Sequence, residues 1–296
     1  MASLPALGRI GAWSFDFVLA PLTAVRPALE RIEEAGYGAV WYPEVPFGRE
    51  SLTQGALLLG WSEHVVVASG IASIFARDAI AMENGARGLG EAHPGRFLLG
   101  IGVSHAPSVA SRGGDYARPL ATMRDYLDAM DAAPYRGGED APRVLAALAP
   151  GMLQLAAARA SGAHTYFVPP EHTVRAREAL GADRVLAVEQ AVVLEADPGA
   201  ARELARRHMR PYLELPNYRN NLLRLGYAEE DLAAGGSDRV VDAIVAWGDE
   251  TAIQERVRAH FAAGADHVAV QPIRGLEAGL AVEQLVELAP ALLELT

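Results

Sequence analysis

The 296-residue chain contains no cysteine and, read from end to end, no lysine, so all 26 positions counted as Lys+Arg are arginine. Without cysteine there is no thiolate nucleophile, no iron–sulfur cluster and no redox disulfide. Without lysine there is no Schiff-base aldolase, no lysine-held pyridoxal phosphate and no P-loop. An alanine- and arginine-rich chain without lysine is also what a GC-rich genome encodes. Long apolar runs are missing too. None approaches the roughly eighteen residues of a membrane span, and the N-terminus lacks a basic region followed by an apolar stretch and a cleavage site, so a cytoplasmic protein is expected. A basic face is equally scarce: the formal charge of −11 and pI near 5.2 argue against nucleic acid or an anionic membrane as a partner. The eight histidines form no pair at metal-ligand spacing and no His-Glu-x-x-His, so no metal is expected. His164 and His172 read as packing, capping or ligand-bonding residues.

What is present is a rhythm. The composition is 51% hydrophobic, enough to bury a full core. Short apolar runs end near Trp41, Ser69, Ile101, Leu148, Val168, Val193 and Val270, with alanine-rich helical stretches between them. With the opening Arg9–Trp13 segment they make eight candidate strands, the number that closes a parallel barrel. One unit recurs three times: a helix ends in glycine, an apolar strand follows, and a proline stops it. The copies run from Gly36 to Pro43, Gly162 to Pro169 and Gly264 to Pro272. An α/β fold of the (β/α)₈ TIM-barrel type follows, with residues 1–296 as one domain. The rhythm breaks from about 197 to 245, where helical segments are separated by Pro211, Pro216 and Gly235-Gly236. This reads as a helical insertion after strand 7, over the catalytic face.

Barrel sites are built where strands end, which singles out Trp13, Glu44, Ser73, Ile74, Ser104 and His105. Glu44 leaves the run Val40-Trp41-Tyr42-Pro43. Partial burial there would raise its pKa and suit proton transfer; the plain alternative is a surface glutamate or a neighbour of a helix cap. His105 closes Gly100-Ile101-Gly102-Val103-Ser104, where Gly102 and its partner would let a ligand ring approach the backbone. This is neither a dinucleotide fingerprint nor a nucleophile elbow, and a lone loop histidine is as often merely polar as catalytic.

The stretch Ser69-Gly70-Ile71-Ala72-Ser73-Ile74-Phe75-Ala76-Arg77-Asp78, followed by His93-Pro94-Gly95-Arg96-Phe97-Leu98-Leu99-Gly100-Ile101-Gly102-Val103-Ser104, resembles the bacterial luciferase-like superfamily in its F420-dependent oxidoreductase branch. The likeness runs from Gly8 to about Ile273 and includes Asp242–Asp249. It implies a coenzyme across the barrel mouth, backed by a bulge with a non-prolyl cis peptide that matching places at Ser73-Ile74. It also implies a phosphate held by backbone amides at Ala146-Ala147-Leu148-Ala149 and at Gly162-Ala163-His164, although the usual glycine-rich turn is here Ala-Leu-Ala-Pro-Gly. Glu44 and His105 fall at positions where relatives place an acid or base, with the residue types exchanged. Arg49, Arg112 and Arg118 are candidates for a poly-glutamate tail, and a homodimer is implied. The expected activity is hydride transfer between F420 and a small organic substrate. Two alternatives stand beside it: an FMN-dependent monooxygenase, and a barrel that has lost its coenzyme, marked by a trans Ser73-Ile74 bond and a mouth filled with side chains.

Overall fold

The computed structural model describes residues 4–135, 137, 141–274 and 280–295. Its strands are β1 (Ile10–Trp13), β2 (Ala39–Tyr42), β3 (Val66–Ser69), β4 (Ala72–Ser73), β5 (Phe97–Gly102), β6 (Arg143–Ala146), β7 (Gly162–Thr165), β8 (Val185–Leu194), β9 (Ala246–Gly248) and β10 (His267–Pro272). Each pairs in parallel with its neighbour, and β10 pairs with both β1 and β8. That double pairing closes the barrel, whose wall is β1, β2, β3, β5, β6, β7, β8 and β10. Two short strands lie outside this circuit: β4 extends the β3 edge along β5, and β9 adds to β8. The eight strand signals in the sequence are these eight wall strands.

The strands read as continuous apolar runs because both faces are covered. Along β2, Ala39 and Trp41 point into the barrel, while Val40 and Tyr42 point out into the core under the helices. Inside, the indoles of Trp13 and Trp41 take most of the space, and Ala39, Ala68, Ala187 and Ala269 stay small around them. Two histidines share this interior. His267 Nδ1 donates to the Gly8 carbonyl (2.8 Å) and its Nε2 accepts from Trp41 Nε1 (2.9 Å), which fixes its tautomer. Burial lowers its pKa to about 4, so it stays neutral at physiological pH.

The recurring glycine-to-proline unit holds in two of its three copies. Gly36 and Gly264 follow helices at φ +96° and +100°, the left-handed region that favours glycine. Gly162 does not follow that pattern: it opens β7, where a Cβ would collide with the Val185 carbonyl.

The stretch after β8 is helical, as its broken rhythm predicts. Helices span Pro198–Leu213, Pro216–Leu225 and Asp238–Ile244, with a 3₁₀ turn at Glu230–Gly235. Asp197 caps the first and Ser237 the last, each accepting a backbone N–H of the first turn. The Asp242–Asp249 segment ties this layer down. Asp242 takes two hydrogen bonds from Arg202 (2.9 and 2.6 Å) and one from Trp247 Nε1 (2.7 Å). The layer has its own core of Ala201, Ala205, Met209, Leu213 and Leu222, which closes on Phe167, Ala191 and Val193 at the C-terminal ends of β7 and β8. Among the described residues, no helix is long and apolar enough to cross a membrane.

Candidate active site

A cavity of about 410 Å³ opens at the C-terminal mouth, between the strand ends and the helical layer. This is the size of a cofactor or small-molecule site, at the end of the barrel where such folds place their chemistry.

Its floor is built by an irregularity in the third wall strand. After Ser69 the chain leaves β5, rejoining it only at Ala72 and Ser73 opposite Ile101 and Gly102. Between the two contacts lies a cis Gly70-Ile71 peptide, where the resemblance had implied Ser73-Ile74; within this stretch the cis bond sits three residues upstream of the expected place. The register explains the shift. Ser73 already belongs to a regular strand pair, and Ile74 donates its N–H to the Gly102 carbonyl (3.0 Å), so the irregular backbone is confined to the residues before Ala72.

Gly70 supports the floor by what it lacks. A Cβ there would stand 2.9 Å from Trp13 Nε1, 3.2 Å from His164 Nε2 and 3.3 Å from the Trp41 ring. Trp13 Nε1 and His164 Nε2 are both buried without a hydrogen-bond partner, and both residues line the cavity. His164 stacks on Trp41 at 4.4 Å and faces the Ala187 carbonyl through Nδ1 (3.2 Å). Burial brings its pKa down to about 3, which leaves Nδ1 as the donor and Nε2 as a bare acceptor. One N–H and one lone pair thus converge beside a glycine on the cavity floor. Unpartnered buried polar atoms of this kind mark a place for a ligand.

Glu44 forms part of the wall, but its carboxylate is fully engaged. It pairs with Arg77 and accepts the backbone N–H groups of Ser73 (2.8 Å) and Ser51 (3.3 Å), with its side chain only 2% exposed. Glu44 therefore ties the strand bulge to the helix beginning at Ser51. His105 lines the same cavity. The residue before it, Ser104, adopts φ +57°, and His105 immediately precedes the short helix Ala106–Ala110 without a side-chain capping bond. Its Nδ1 is buried without a partner, and burial lowers its pKa, an effect partly opposed by a hydrogen bond with Asn217.

Of the residues singled out in the sequence, Trp13, Glu44, Ser104, His105, Ala147 and His164 line this cavity. Ser73, Ile74, Gly102, Gly162 and Ala163 do not form its lining. Gly102 and Gly100 make room for the protein's own bulge: a Cβ at Gly102 would stand 2.7 Å from Ile71 Cδ1, and one at Gly100 would run into the Ser69 carbonyl. Gly162 and Ala163 begin β7 rather than follow it. The loop at the mouth is Tyr166–Pro169, because the strand ends at Thr165 and not near Val168. Arg49 is turned inward, donating to the carbonyls of Phe17 (2.7 Å) and Ala20 (3.0 Å), whereas Arg112 and Arg118 are exposed.

Sequence reasoning missed the opposite wall. Tyr166 follows β7, and Tyr212, Asn217, Tyr218, Asn220 and Arg224 reach the cavity from the helical layer. Behind them Glu189 points inward from β8. Its Oε2 accepts the Phe167 N–H (3.1 Å), its Oε1 has no partner, and burial pushes its pKa up to about 8. A glutamate inside the apolar run Leu186–Leu194 was the available signal. Among the described residues no cluster of three or more acidic or histidine side chains is placed to hold a metal.

Known proteins of this architecture share the whole chain. An F420-dependent secondary alcohol dehydrogenase, solved with an F420–acetone adduct, is 12% identical, with 96% of this chain and 98% of that one covered at a TM-score of 0.75. An F420-dependent tetrahydromethanopterin reductase from Methanopyrus kandleri is 14% identical, with 99% of each chain covered and a TM-score of 0.72. EDTA monooxygenase from Chelativorans sp. BNC1 is 10% identical, with 97% and 93% covered and a TM-score of 0.75. At such identities the likeness speaks for the fold. No curated protein sequence matches the chain significantly. The model of the luciferase-like monooxygenases matches residues 7–267, and with the barrel, the bulge and the open mouth this establishes that the chain belongs to the luciferase-like monooxygenase family.

Proposed function

We propose that this protein is an F420-dependent oxidoreductase that transfers a hydride between the deazaflavin and a small organic substrate. The floor fits a flat, heteroatom-bearing ring: Trp13 Nε1 offers a donor, His164 Nε2 an acceptor, and Gly70 leaves the space between them free. The start of helix Pro150–Arg159 and the side chain of Arg224 face the same cavity, and together they suit the coenzyme's phosphate without a lysine. When bound, the deazaflavin supplies the hydride acceptor or donor.

The protein's share is to hold the substrate and move one proton. Oxidation of an alcohol needs a base beside the hydroxyl, and the observation that carries this reading is His105, a neutral imidazole on the cavity wall with one buried nitrogen unpartnered. Because burial lowers its pKa, the base form persists to more acidic pH than for a free histidine. Glu44 is a positioning residue here, since its oxygens hold the bulge and Arg77 rather than facing a ligand alone. Reduced FMN with oxygen is the competing reading, and the likeness to EDTA monooxygenase favours it.

The test is an equilibrium titration with F420 and, separately, FMN, followed by coenzyme fluorescence at fixed ionic strength. F420 is expected to bind at least about tenfold more tightly than FMN. With F420 and an accepted substrate, His105→Ala should lower kcat by about 10²- to 10⁴-fold. Preference for FMN would overturn the F420 assignment, and binding of neither would point to a barrel without a coenzyme.

A further inference from the structure

The wall contributed by the helical layer has features that coenzyme binding does not require. Tyr166 and Tyr212 both line the cavity, and their hydroxyls are hydrogen-bonded to each other at 2.8 Å. Two phenols carry two protons, and one serves the bond between them. Neither hydroxyl makes another hydrogen bond among the described residues, so one donor proton is left for a ligand. Around the pair the surface is aromatic. Tyr218 stands edge-on to Tyr212 (5.4 Å, 89°) and to Phe167 (5.3 Å, 65°), and the His105 ring lies 5.3 Å from Tyr218.

Apart from Arg224 this wall is also uncharged near neutral pH. Glu189 behind it keeps its proton, with a pKa pushed up to about 8, while burial lowers His208 to about 4 and lowers His105 as well. Arg224, the arginine lining the same cavity, is exposed and belongs to its rim. A carboxylate entering beside the tyrosines would lose water without gaining a cation, which is costly, whereas a neutral oxygen would gain a hydrogen bond.

We propose that the Tyr166–Tyr212 pair and the rings around it form the substrate compartment, built for an uncharged aromatic molecule whose carbonyl or hydroxyl oxygen accepts the free phenolic proton. Calling the occupant the substrate rests on the oxidoreductase reading; the binding chemistry does not.

The full chain is titrated without coenzyme against acetophenone, ethylbenzene and benzoate by ligand-observed NMR, using wild type, Tyr212→Phe and Tyr166→Phe. Acetophenone is expected to bind wild type at least about tenfold more tightly than benzoate. The phenylalanine variant that removes the phenol donating to the ligand should weaken acetophenone about five- to tenfold, while neither variant shifts ethylbenzene by more than about twofold. Thermal unfolding of both variants checks the fold, and the two substitutions, on different elements, give independent readings. Benzoate binding as well as acetophenone, or variants that hold acetophenone like wild type, would overturn the proposal. The wild-type F420 titration separates the two ideas. Tyrosine-dependent acetophenone binding without F420 binding would sink the F420-dependent reading and uphold the compartment; F420 binding without tyrosine dependence would do the reverse.

Discussion

Two walls face each other across the cavity, and they differ in how their polar atoms are satisfied. On the β2 and β3 side, Glu44 is surrounded by Arg77 and two backbone N–H groups. On the side of the helical layer, His105 Nδ1 and Glu189 Oε1 have no partner, and the Tyr166–Tyr212 pair retains a proton. Both walls are buried and both carry ionisable groups, so burial alone does not separate structural from functional residues. At the cavity lining satisfaction does: Glu44, with its bonds made, fixes a backbone, whereas His105, with a bond to spare, is placed to meet a ligand.

The comparison is broken most severely by removing the partner of the satisfied wall. Arg77→Met leaves the Glu44 carboxylate buried and unpaired and is expected to cost about 3–5 kcal/mol in urea unfolding. Adding Glu44→Gln should recover much of that loss. Equal loss in the single and double variants would mean that Arg77 acts through packing and not through Glu44.

Next in size is the unsatisfied wall's response to pH. The folded protein holds the Glu189 proton up to about pH 8, while the unfolded chain releases it near the ordinary 4.5. Stability from this group is therefore fully present below pH 4.5 and is lost as pH rises toward 8, by at most about 1.4 kcal/mol per unit. The buried histidines act with the opposite sign: His164 and His260, lowered to about 3, and His208 and His267, lowered to about 4, destabilise the fold as pH falls below 6.5. Comparing wild type with Glu189→Gln at each pH cancels the histidines. The gap in favour of the variant should widen from pH 5 to 8, and a constant gap would show that Glu189 does not titrate in this window.

A smaller effect distinguishes room made for the chain from room made for a ligand. Gly100→Ala would press a methyl group on the Ser69 carbonyl, and about 1–3 kcal/mol is expected from overpacking. Unchanged stability with weakened coenzyme binding would return the glycine to the role its sequence context suggested.

That glycine marks the limit of what is legible in the sequence. The eight strands were legible because each apolar run is punctuated by glycine or proline, and the helical layer because the punctuation changes. Trp13, His105 and His164 were legible as residues at or beside strand ends. The purpose of Gly100 and Gly102 was not, because the atoms they accommodate, Ser69 O and Ile71, come from the end of β3 and the bulge after it, 31 residues earlier. Tyr212 and Tyr218 were invisible for a similar reason: their helices fold back over the mouth, and no local period says which helical face meets a cavity. Glu189 is visible as a charge in an apolar strand, but only the fold shows that one of its oxygens is buried without a partner.

The finest test stays within the satisfied wall, because Arg77 also pairs with Glu50 at 2.6 Å. The two carboxylates share one guanidinium but not one environment: the Glu44 side chain is 2% exposed and that of Glu50 46%. Glu50 additionally caps the helix starting at Ser51, accepting from Leu52 (3.0 Å) and Thr53 (2.7 Å), and a glutamine keeps an oxygen for that purpose. Glu50→Gln should therefore cost no more than about 1 kcal/mol, and the cost should shrink in high salt. Glu44→Gln should cost more and resist salt, since it leaves Arg77, only 10% exposed, without its buried counter-ion. If the two substitutions cost the same and respond to salt alike, the guanidinium is solvated in solution, and the difference between the walls is one of geometry without an energetic counterpart.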